Sequence, residues 1–246
     1  MKKRIIALLL CLALLCAGFC MTAWAAESET VCKTVPEVMR FLIGNRNYTV
    51  PLRILPAVLS ESEEETPVYL IAMVGVKPVK GQVNVVQTCF PAAFNKENVY
   101  FDLVKQTVLA EVPAGSRLVF VCHSLGGMVA QQLRADDALK EQYEILHVLT
   151  AGSPFIMTKG GEGTLVRLAD QYDLIPLLSP ATVLKPAAQF RQVCRENGGY
   201  VFNPDAAHNL SYLREDVWGA YDALGVKNGN TSLCFDASLL REFGAA

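Results

Sequence analysis

The sequence predicts an α/β fold with a mostly parallel sheet that is covered by helices on both faces. From Pro67 onward, short apolar runs alternate with segments in which apolar residues recur about every 3.6 positions. The runs are apolar at every position, which is typical of strands buried on both sides. Strands that alternate with helices along the chain indicate a parallel sheet.

The predicted elements follow one another in a regular order. Strands are predicted at residues 68–76, 83–89, 118–122, 145–150 and 164–169, and helices at 95–111 and 125–133. Residues 31–60 predict a mixed segment, with a short helix around 37–43 and then extended chain. Residues 60–66 hold four glutamates and are interpreted as a solvated loop. No segment is interpreted as a lid helix.

The first 25 residues predict a secretory signal peptide. Lys2, Lys3 and Arg4 precede an apolar run that ends in Ala23-Trp24-Ala25, a small-x-small cleavage site. The run is short beside the ~20 apolar residues of a spanning helix, so an uncleaved anchor is the weaker alternative. We therefore expect a secreted protein, extracellular or in the cell envelope. Residues 26–246 are predicted to form one domain, since roughly 220 residues suffice for one.

Charge and cysteine content exclude several classes of partner. The formal net charge is −2, and loss of the three basic residues of the signal peptide makes the chain more acidic, so nucleic acid is not an expected partner. Five cysteines remain after residue 25, an odd number that cannot pair completely, and their spacing fits no zinc site: Cys32, Cys89, Cys122, Cys194 and Cys234. No metal and no organic cofactor is predicted. Cys122, inside an apolar run, is predicted to be a small buried residue.

Ser124 is the candidate nucleophile. The strand at 118–122 runs directly into His-Ser-Leu-Gly-Gly and then into a helix. A serine in such a strand-to-helix turn presents its hydroxyl at the edge of the sheet. The N–H group of Leu125, at the start of the helix, is then a candidate donor to an oxyanion. Cys122 stands where the usual Gly-x-Ser-x-Gly pattern has glycine. The alternative is that Ser124 only caps the helix.

His208 is the candidate base. The chain has three histidines, and a base must reach the nucleophile. His123 is adjacent to Ser124, and we expect the sharp turn to point it elsewhere. His147 lies in a predicted strand and is interpreted as a core residue. His208 lies in a predicted loop downstream of Ser124, where a catalytic histidine is expected.

The acid is expected between Ser124 and His208. Asp173 follows a predicted strand, and a carboxylate there would accept the second imidazole N–H and stabilise the imidazolium. Asp170 is the alternative, because it lies three residues earlier at the end of the same strand. Asp205 is less suitable because it is close to His208 in sequence.

Three motifs resemble those of a known family. These are Ser124-Leu-Gly-Gly, Thr150-Ala-Gly-Ser-Pro and Asp173-Leu-Ile-Pro. Together they resemble the class 3 (fungal-type triacylglycerol) lipases and related bacterial α/β-hydrolases, over roughly residues 68–212. The resemblance implies an α/β-hydrolase fold and Asp173, not Asp170, as the acid. It also implies Val76 N–H as a second oxyanion donor, although Val76 lacks the hydroxyl common at that position.

The resemblance implies a function as well. We expect a secreted serine hydrolase that cleaves carboxylic esters through Ser124, His208 and Asp173, as a lipase or esterase does. Its partner would be a small-molecule or lipid ester, and transient contact with a lipid interface fits that class. The alternative is a non-catalytic binding protein that retains the fold. Cys122 and Val76, both off the family pattern, favour that alternative.

Overall fold

Nine β-strands form one mixed sheet in the part of the chain that the computed structural model describes, residues 29–43, 50–75, 85–185, 187 and 193–244. They are β1 (Glu29–Cys32), β2 (Leu52–Glu61), β3 (Glu64–Met73), β4 (Arg117–His123), β5 (Glu144–Ala151), β6 (Thr164–Asp170), β7 (Cys194–Glu196), β8 (Ser232–Asp236) and β9 (Arg241–Phe243). Their order is β1-β8-β2-β3-β4-β5-β6-β7, and β9 also pairs with β2.

The sheet is parallel on one side and antiparallel on the other. Strands β3 to β7 pair in parallel. Strand β2 is antiparallel to β3, β8 and β9, and β1 is antiparallel to β8. The predicted α/β architecture is confirmed, whereas the antiparallel side of the sheet was not predicted. The parallel part carries the elements on which the site is built.

Helices cover both faces of this sheet. They are α1 (Val35–Ile43), α2 (Val85–Ala93), α3 (Val99–Glu111), α4 (Leu125–Leu133), α5 (Asp137–Gln142), α6 (Pro180–Leu184), α7 (Pro204–Asn209) and α8 (Glu215–Trp218). Val119 and Val121 of β4 pack with α1 and α8 in one core cluster. Phe120 and Cys122, the alternate residues of the same strand, pack with α3, α4 and α5 in a second cluster. The alternation places one core on each face, as the uniformly apolar strands predicted.

Several predicted elements are confirmed. Helix α4 has the predicted bounds, and α1 covers the helix predicted around 37–43. Strands β3, β4, β5 and β6 cover most of the runs predicted at 68–76, 118–122, 145–150 and 164–169. The helix predicted over 95–111 begins later, at Val99, because the Asn98 side chain accepts the N–H groups of Tyr100 and Phe101 and so caps it.

The strand predicted at 83–89 is wrong from Val85 onward, and residues 83 and 84 lie outside the described residues. Residues from Val85 onward form α2, in which Thr88 and Ala92 are buried. The β-branched residues of this segment favour a strand only weakly, so the contacts it makes in the folded protein decide whether it forms a strand or a helix. Here α2 packs against α4 on the face of the sheet, so the segment forms a helix despite Pro91.

The solvated loop predicted at residues 60–66 is also wrong. Strands β2 and β3 pair as far as Glu61 and Glu64, so only Ser62 and Glu63 form the turn. Both turn residues have positive φ, 48° and 74°, which is the conformation of a tight hairpin turn. The glutamates mark the solvent-exposed tip of a hairpin, which their charge alone does not distinguish from a loop.

Residues 1–28 lie outside the described residues, and the predicted signal peptide falls there. Among the helices that the structure does describe, none is long and apolar enough to span a bilayer. The five cysteines after residue 25 are all described as free thiols, and Cys122 is buried in β4 as predicted.

Candidate active site

The side chains of Ser124, His208 and Asp173 meet at the carboxyl edge of the parallel strands. The Oγ atom of Ser124 lies 3.0 Å from Nε2 of His208. The Nδ1 atom of His208 lies 2.9 Å from Oδ2 of Asp173. Ser124 follows the end of β4, and Asp173 follows the end of β6. The structure therefore brings together the three residues that the sequence singled out for catalysis.

Ser124 occupies a strained turn between β4 and α4. Its backbone has φ 55° and ψ −124°, a conformation that costs a residue other than glycine about 1–3 kcal/mol. Its N–H group donates to the carbonyl oxygen of Ala151 at the end of β5, over 3.0 Å. The hydroxyl makes no cap hydrogen bond to α4, so the alternative that Ser124 only caps the helix is wrong.

Gly126 explains why the turn can lie so close to the sheet. A Cβ atom at Gly126 would lie 2.6 Å from the carbonyl oxygen of Met73, which ends β3. Any side chain there would push α4 away from the strand and displace the turn. The glycine that follows the serine in the motif is thus required by the packing of α4 on β3.

Asp173 is held in a buried turn by several hydrogen bonds. Its side chain is 0% exposed. Oδ1 accepts the N–H of Ile175 (2.9 Å), and Oδ2 accepts the hydroxyl of Tyr212 (2.8 Å) as well as the imidazole. Burial, and next the charge of Asp173, raise the pKa of Tyr212 well above its ordinary value, so the phenol keeps its proton and remains a donor. The carboxylate is therefore fixed in position on both oxygens.

Asp170, the alternative acid, has a different role. Its carboxylate accepts the N–H groups of Tyr172 and Gly198, both at 2.8 Å, and the hydroxyl of Ser211. The carbonyl of Gly198 in turn accepts from Arg214. Asp170 thus fastens the segment that leads into α7 to the end of β6. It is Asp173, and not Asp170, that contacts the imidazole.

His208 lies in helix α7 and not in the loop predicted for it. Asn203 caps this short helix, because its side chain accepts the N–H of Ala206 over 3.0 Å. The His208 side chain is only 13% exposed. The sequence missed this helix because six residues are too few for a clear periodic pattern.

Gly152 lies directly beneath the imidazole–carboxylate pair. It follows β5 with a φ of +63°, which favours glycine. A Cβ atom at this position would lie 2.8 Å from Oδ2 of Asp173 and 3.0 Å from Nδ1 of His208. The glycine therefore leaves the space in which the pair forms its hydrogen bond.

The other two histidines differ from expectation. His123 was expected to point away from the site, but its Nε2 donates to the main-chain carbonyl of His208 over 2.9 Å. His123 and Ser124 therefore contact different parts of His208: His123 its main-chain carbonyl and Ser124 its ring. His147 lies in β5, 3.3 Å from Glu61, with 19% of its side chain exposed. It is a partly exposed residue that contacts a carboxylate and not a core residue, because its side chain reaches Glu61 at the exposed end of β2.

Of the two proposed oxyanion donors, the structure describes Leu125 but not Val76. Leu125 is the first residue of α4, where an N–H group has no intrahelical acceptor and the helix end is partially positive. Val76 lies outside the described residues. The preceding residue, Gly75, is close to the nucleophile, because its Cβ position would be 2.6 Å from Cβ of Ser124. The chain leading to Val76 therefore passes next to Ser124.

The arrangement offers acid–base chemistry at a hydroxyl group. An imidazole nitrogen within hydrogen-bond distance of a serine can remove its proton, and the buried carboxylate can stabilise the resulting charge. Among the described residues, no group of three or more His, Cys, Asp or Glu side chains is placed to hold a metal ion.

The sequence analysis assigned no role in this site to three residues: His123, Gly152 and Tyr212. Gly152 carried a usable signal, because a glycine directly after a parallel strand lies at the same edge as the nucleophile. Tyr212 lies four residues after His208, but nothing in the sequence indicates that its hydroxyl reaches Asp173. The role of His123 depends on the position of α7, which was not predicted.

Comparison with known proteins gave no match to this chain among protein-family models, curated proteins or solved structures.

Proposed function

We propose that this chain is a serine hydrolase of the α/β-hydrolase type that cleaves carboxylic esters, as lipases and esterases do. The observation that carries the proposal is the continuous pair of hydrogen bonds from Ser124 Oγ through the His208 ring to Asp173. The strained backbone of Ser124, set between a strand and a helix, supports it.

The proposed reaction proceeds through an acyl-enzyme. His208 Nε2 takes the proton of Ser124 as Oγ bonds to the ester carbonyl carbon, and the carbonyl π pair moves onto oxygen. When the intermediate collapses, the bond to the leaving oxygen breaks, and His208 returns the proton to that alcohol. Water then repeats the sequence and releases the acid. Asp173 stabilises the imidazolium in both halves, and the N–H groups of Leu125 and Val76 hold the oxyanion.

Exposed apolar side chains close in sequence to Asp173 and His208 support an ester with an apolar acyl chain. Leu174 and Leu178, which follow Asp173, are 55% and 64% exposed, and Val183 in α6 is 81% exposed. Val201 and Phe202, which precede α7 and His208, are 51% and 97% exposed. One segment follows Asp173 and the other precedes His208, and exposed apolar residues in such places are suited to contact with an acyl chain or a lipid interface.

Export is part of the proposal. The basic start, apolar run and Ala23-Trp24-Ala25 site support cleavage after residue 25 and a location outside the cytoplasm. The mass of the mature N-terminus tests this, because an uncleaved chain would retain Met1 to Ala25.

The function is tested with p-nitrophenyl esters of increasing acyl length and with a fluorophosphonate probe. We expect wild type to turn over the esters and to be labelled at Ser124. Ser124→Ala and His208→Ala should each retain only a residual ~10³–10⁴-fold catalysis over water, and the double variant little less, because the three residues act as one unit. Ser116→Ala is the matched control, since Ser116 precedes the same strand at its opposite end.

Two results would contradict the proposal. A folded Ser124→Ala variant with the wild-type rate would assign the activity to another residue. A folded wild type that is inert to every ester and to the probe would favour the non-catalytic binding protein, with Cys122 beside Ser124 as the first place to look for the loss.

A further inference from the structure

His123 and Ser124 are consecutive residues, and both contact His208. Ser124 Oγ lies 3.0 Å from Nε2 of the His208 ring. His123 Nε2 lies 2.9 Å from the main-chain carbonyl oxygen of the same residue. One turn of the backbone therefore contacts His208 at its reactive ring nitrogen and at its main chain.

The contact to the main chain satisfies a group that the helix leaves without a partner. His208 lies in the last turn of α7, where carbonyl groups have no intrahelical donor. A carbonyl oxygen only accepts, so His123 must carry a proton on Nε2. Because α7 has only six residues, its own hydrogen bonds hold it weakly, and contacts from neighbouring elements decide where it lies.

The two imidazole rings also pack against each other. Their centroids are 4.6 Å apart, and the ring planes are inclined by 37°. His123 is 5% exposed, and the ring of Tyr212 lies 6.0 Å away in an edge-on orientation. The His208 ring is thus bounded by His123, and its Nδ1 is bonded to Asp173.

We propose that His123 is a positioning residue for His208. Its Nε2–H group holds the carbonyl of His208 while its ring packs against the His208 ring, and together these contacts keep Nε2 of His208 directed at Ser124 Oγ. The effect on catalysis rests on the proposed function, whereas the hydrogen bond and its effect on the His208 ring do not.

Two substitutions separate the hydrogen bond from the packing. His123→Phe retains an aromatic ring and loses the donor. His123→Gln loses the ring and retains an amide N–H at about the position of Nε2. His147→Phe is the control, because it removes a histidine that does not contact the site.

The first measurement is the second-order rate of fluorophosphonate labelling. We expect His123→Phe to react about tenfold more slowly than wild type, the loss expected for one hydrogen bond. His123→Gln should recover most of this rate, and His147→Phe should match wild type. A purely packing role predicts the reverse order, with Gln slower than Phe, and that order would overturn the proposal.

The second measurement does not need activity. Nitrogen-15 NMR of the wild-type imidazoles should show His123 protonated on Nε2, and the low-field Nδ1–H signal of His208 should broaden in His123→Phe but not in His147→Phe. A wild-type His123 protonated on Nδ1 alone would refute the inference even if no variant folds. Wild type inert to the probe, with the expected NMR result, would refute the proposed function and leave the positioning role intact.

Discussion

The hydroxyl of Tyr212 donates to the same carboxylate oxygen of Asp173 that accepts from Nδ1–H of His208. The phenol oxygen also accepts the N–H of Asp170 over 3.0 Å. Tyr212 thereby joins the end of β6 to the turn that carries Asp173. Tyr212 lies in the segment just after α7, which carries His208. Its hydrogen bond to Asp173 therefore links the proposed acid to the segment that carries the proposed base.

Replacing Tyr212 by Phe removes the donor to Asp173 and the acceptor of the Asp170 N–H, and retains the aromatic ring. We expect kcat for a short p-nitrophenyl ester to fall about tenfold, because a hydrogen bond to a charged group contributes about 1.5–3 kcal/mol and Asp173 keeps its other partners. Tyr221→Phe is the control, because its hydroxyl bonds Glu196 over 2.7 Å and not the triad. Equal kcat in the two variants would show that Tyr212 has no effect on the acid.

The two aspartates at the end of β6 should respond differently to conversion to asparagine. Asp173→Asn should lower kcat by about 10⁴, because the amide no longer stabilises the correct histidine tautomer. Asp170→Asn should mainly lower the urea midpoint, since its carboxylate fastens Gly198 and Ser211 to the strand. Ester turnover and unfolding are measured on both variants. If the larger loss of activity follows the change at Asp170, the assignment of the acid is reversed.

Gly152→Ala should damage the triad directly. The added methyl group would lie within 3.0 Å of both Asp173 and His208, and the φ of +63° is unfavourable for alanine. We expect at least a hundredfold loss of activity, as when catalytic groups are displaced by about 1 Å. Gly115→Ala is matched in backbone conformation, with a φ of +81°, but has no atom near its added methyl group. The control should lose some stability and retain activity; activity retained at Gly152→Ala as well would contradict the packing described.

The buried thiol of Cys32 predicts a loss of stability at alkaline pH. Burial, and then the charge of Glu37, raise the pKa of Cys32 from 9.0 to about 12. The native protein keeps a proton that the unfolded chain releases near pH 9. The stabilisation is therefore complete below that pH and declines as the pH rises toward 12, by at most about 1.4 kcal/mol per pH unit.

Urea unfolding under reducing conditions between pH 8 and pH 11 measures this decline. Cys32→Ala should show a shallower dependence on pH than wild type. Val31→Ala, at an exposed neighbour that does not ionise, should keep the wild-type slope. If the free energy of unfolding depended on pH equally in all three proteins, Cys32 would not contribute to the loss of stability at alkaline pH.

The residues that could be predicted are those whose role depends on neighbours in sequence. Ser124 lies between a strand and a helix that are both visible in the pattern, so its position followed from local signals. His208 was selected by its place in the chain order, but its helix is too short to show a period. Between Asp170 and Asp173, only the resemblance made a choice, because both follow the same strand.

Other features depend on contacts between distant segments. Tyr212 and His123 act through the position of α7, which no local pattern sets. The helix at Val85–Ala93 has β-branched residues that favour a strand in isolation, and its packing against α4 overrides that preference. The hairpin tip at Ser62 and Glu63 was predicted as a loop, because charged residues indicate exposure to solvent but do not indicate whether the chain pairs as strands.

The position of β8 between β1 and β2 constrains how the protein can be made. Cys234 pairs with Val31 on one side and with Val58 on the other, and its thiol contacts Glu29, 205 residues away in sequence. A chain synthesised from its N-terminus therefore carries β1 without a neighbour until residues 232–236 have left the ribosome. Such a distant pairing makes folding slow and leaves the edge of β2 open to other chains in the meantime. The sheet is completed only once residues 232–236 are available, and a chain that ended before residue 232 would expose the edges of β1 and β2 to chaperones and proteases.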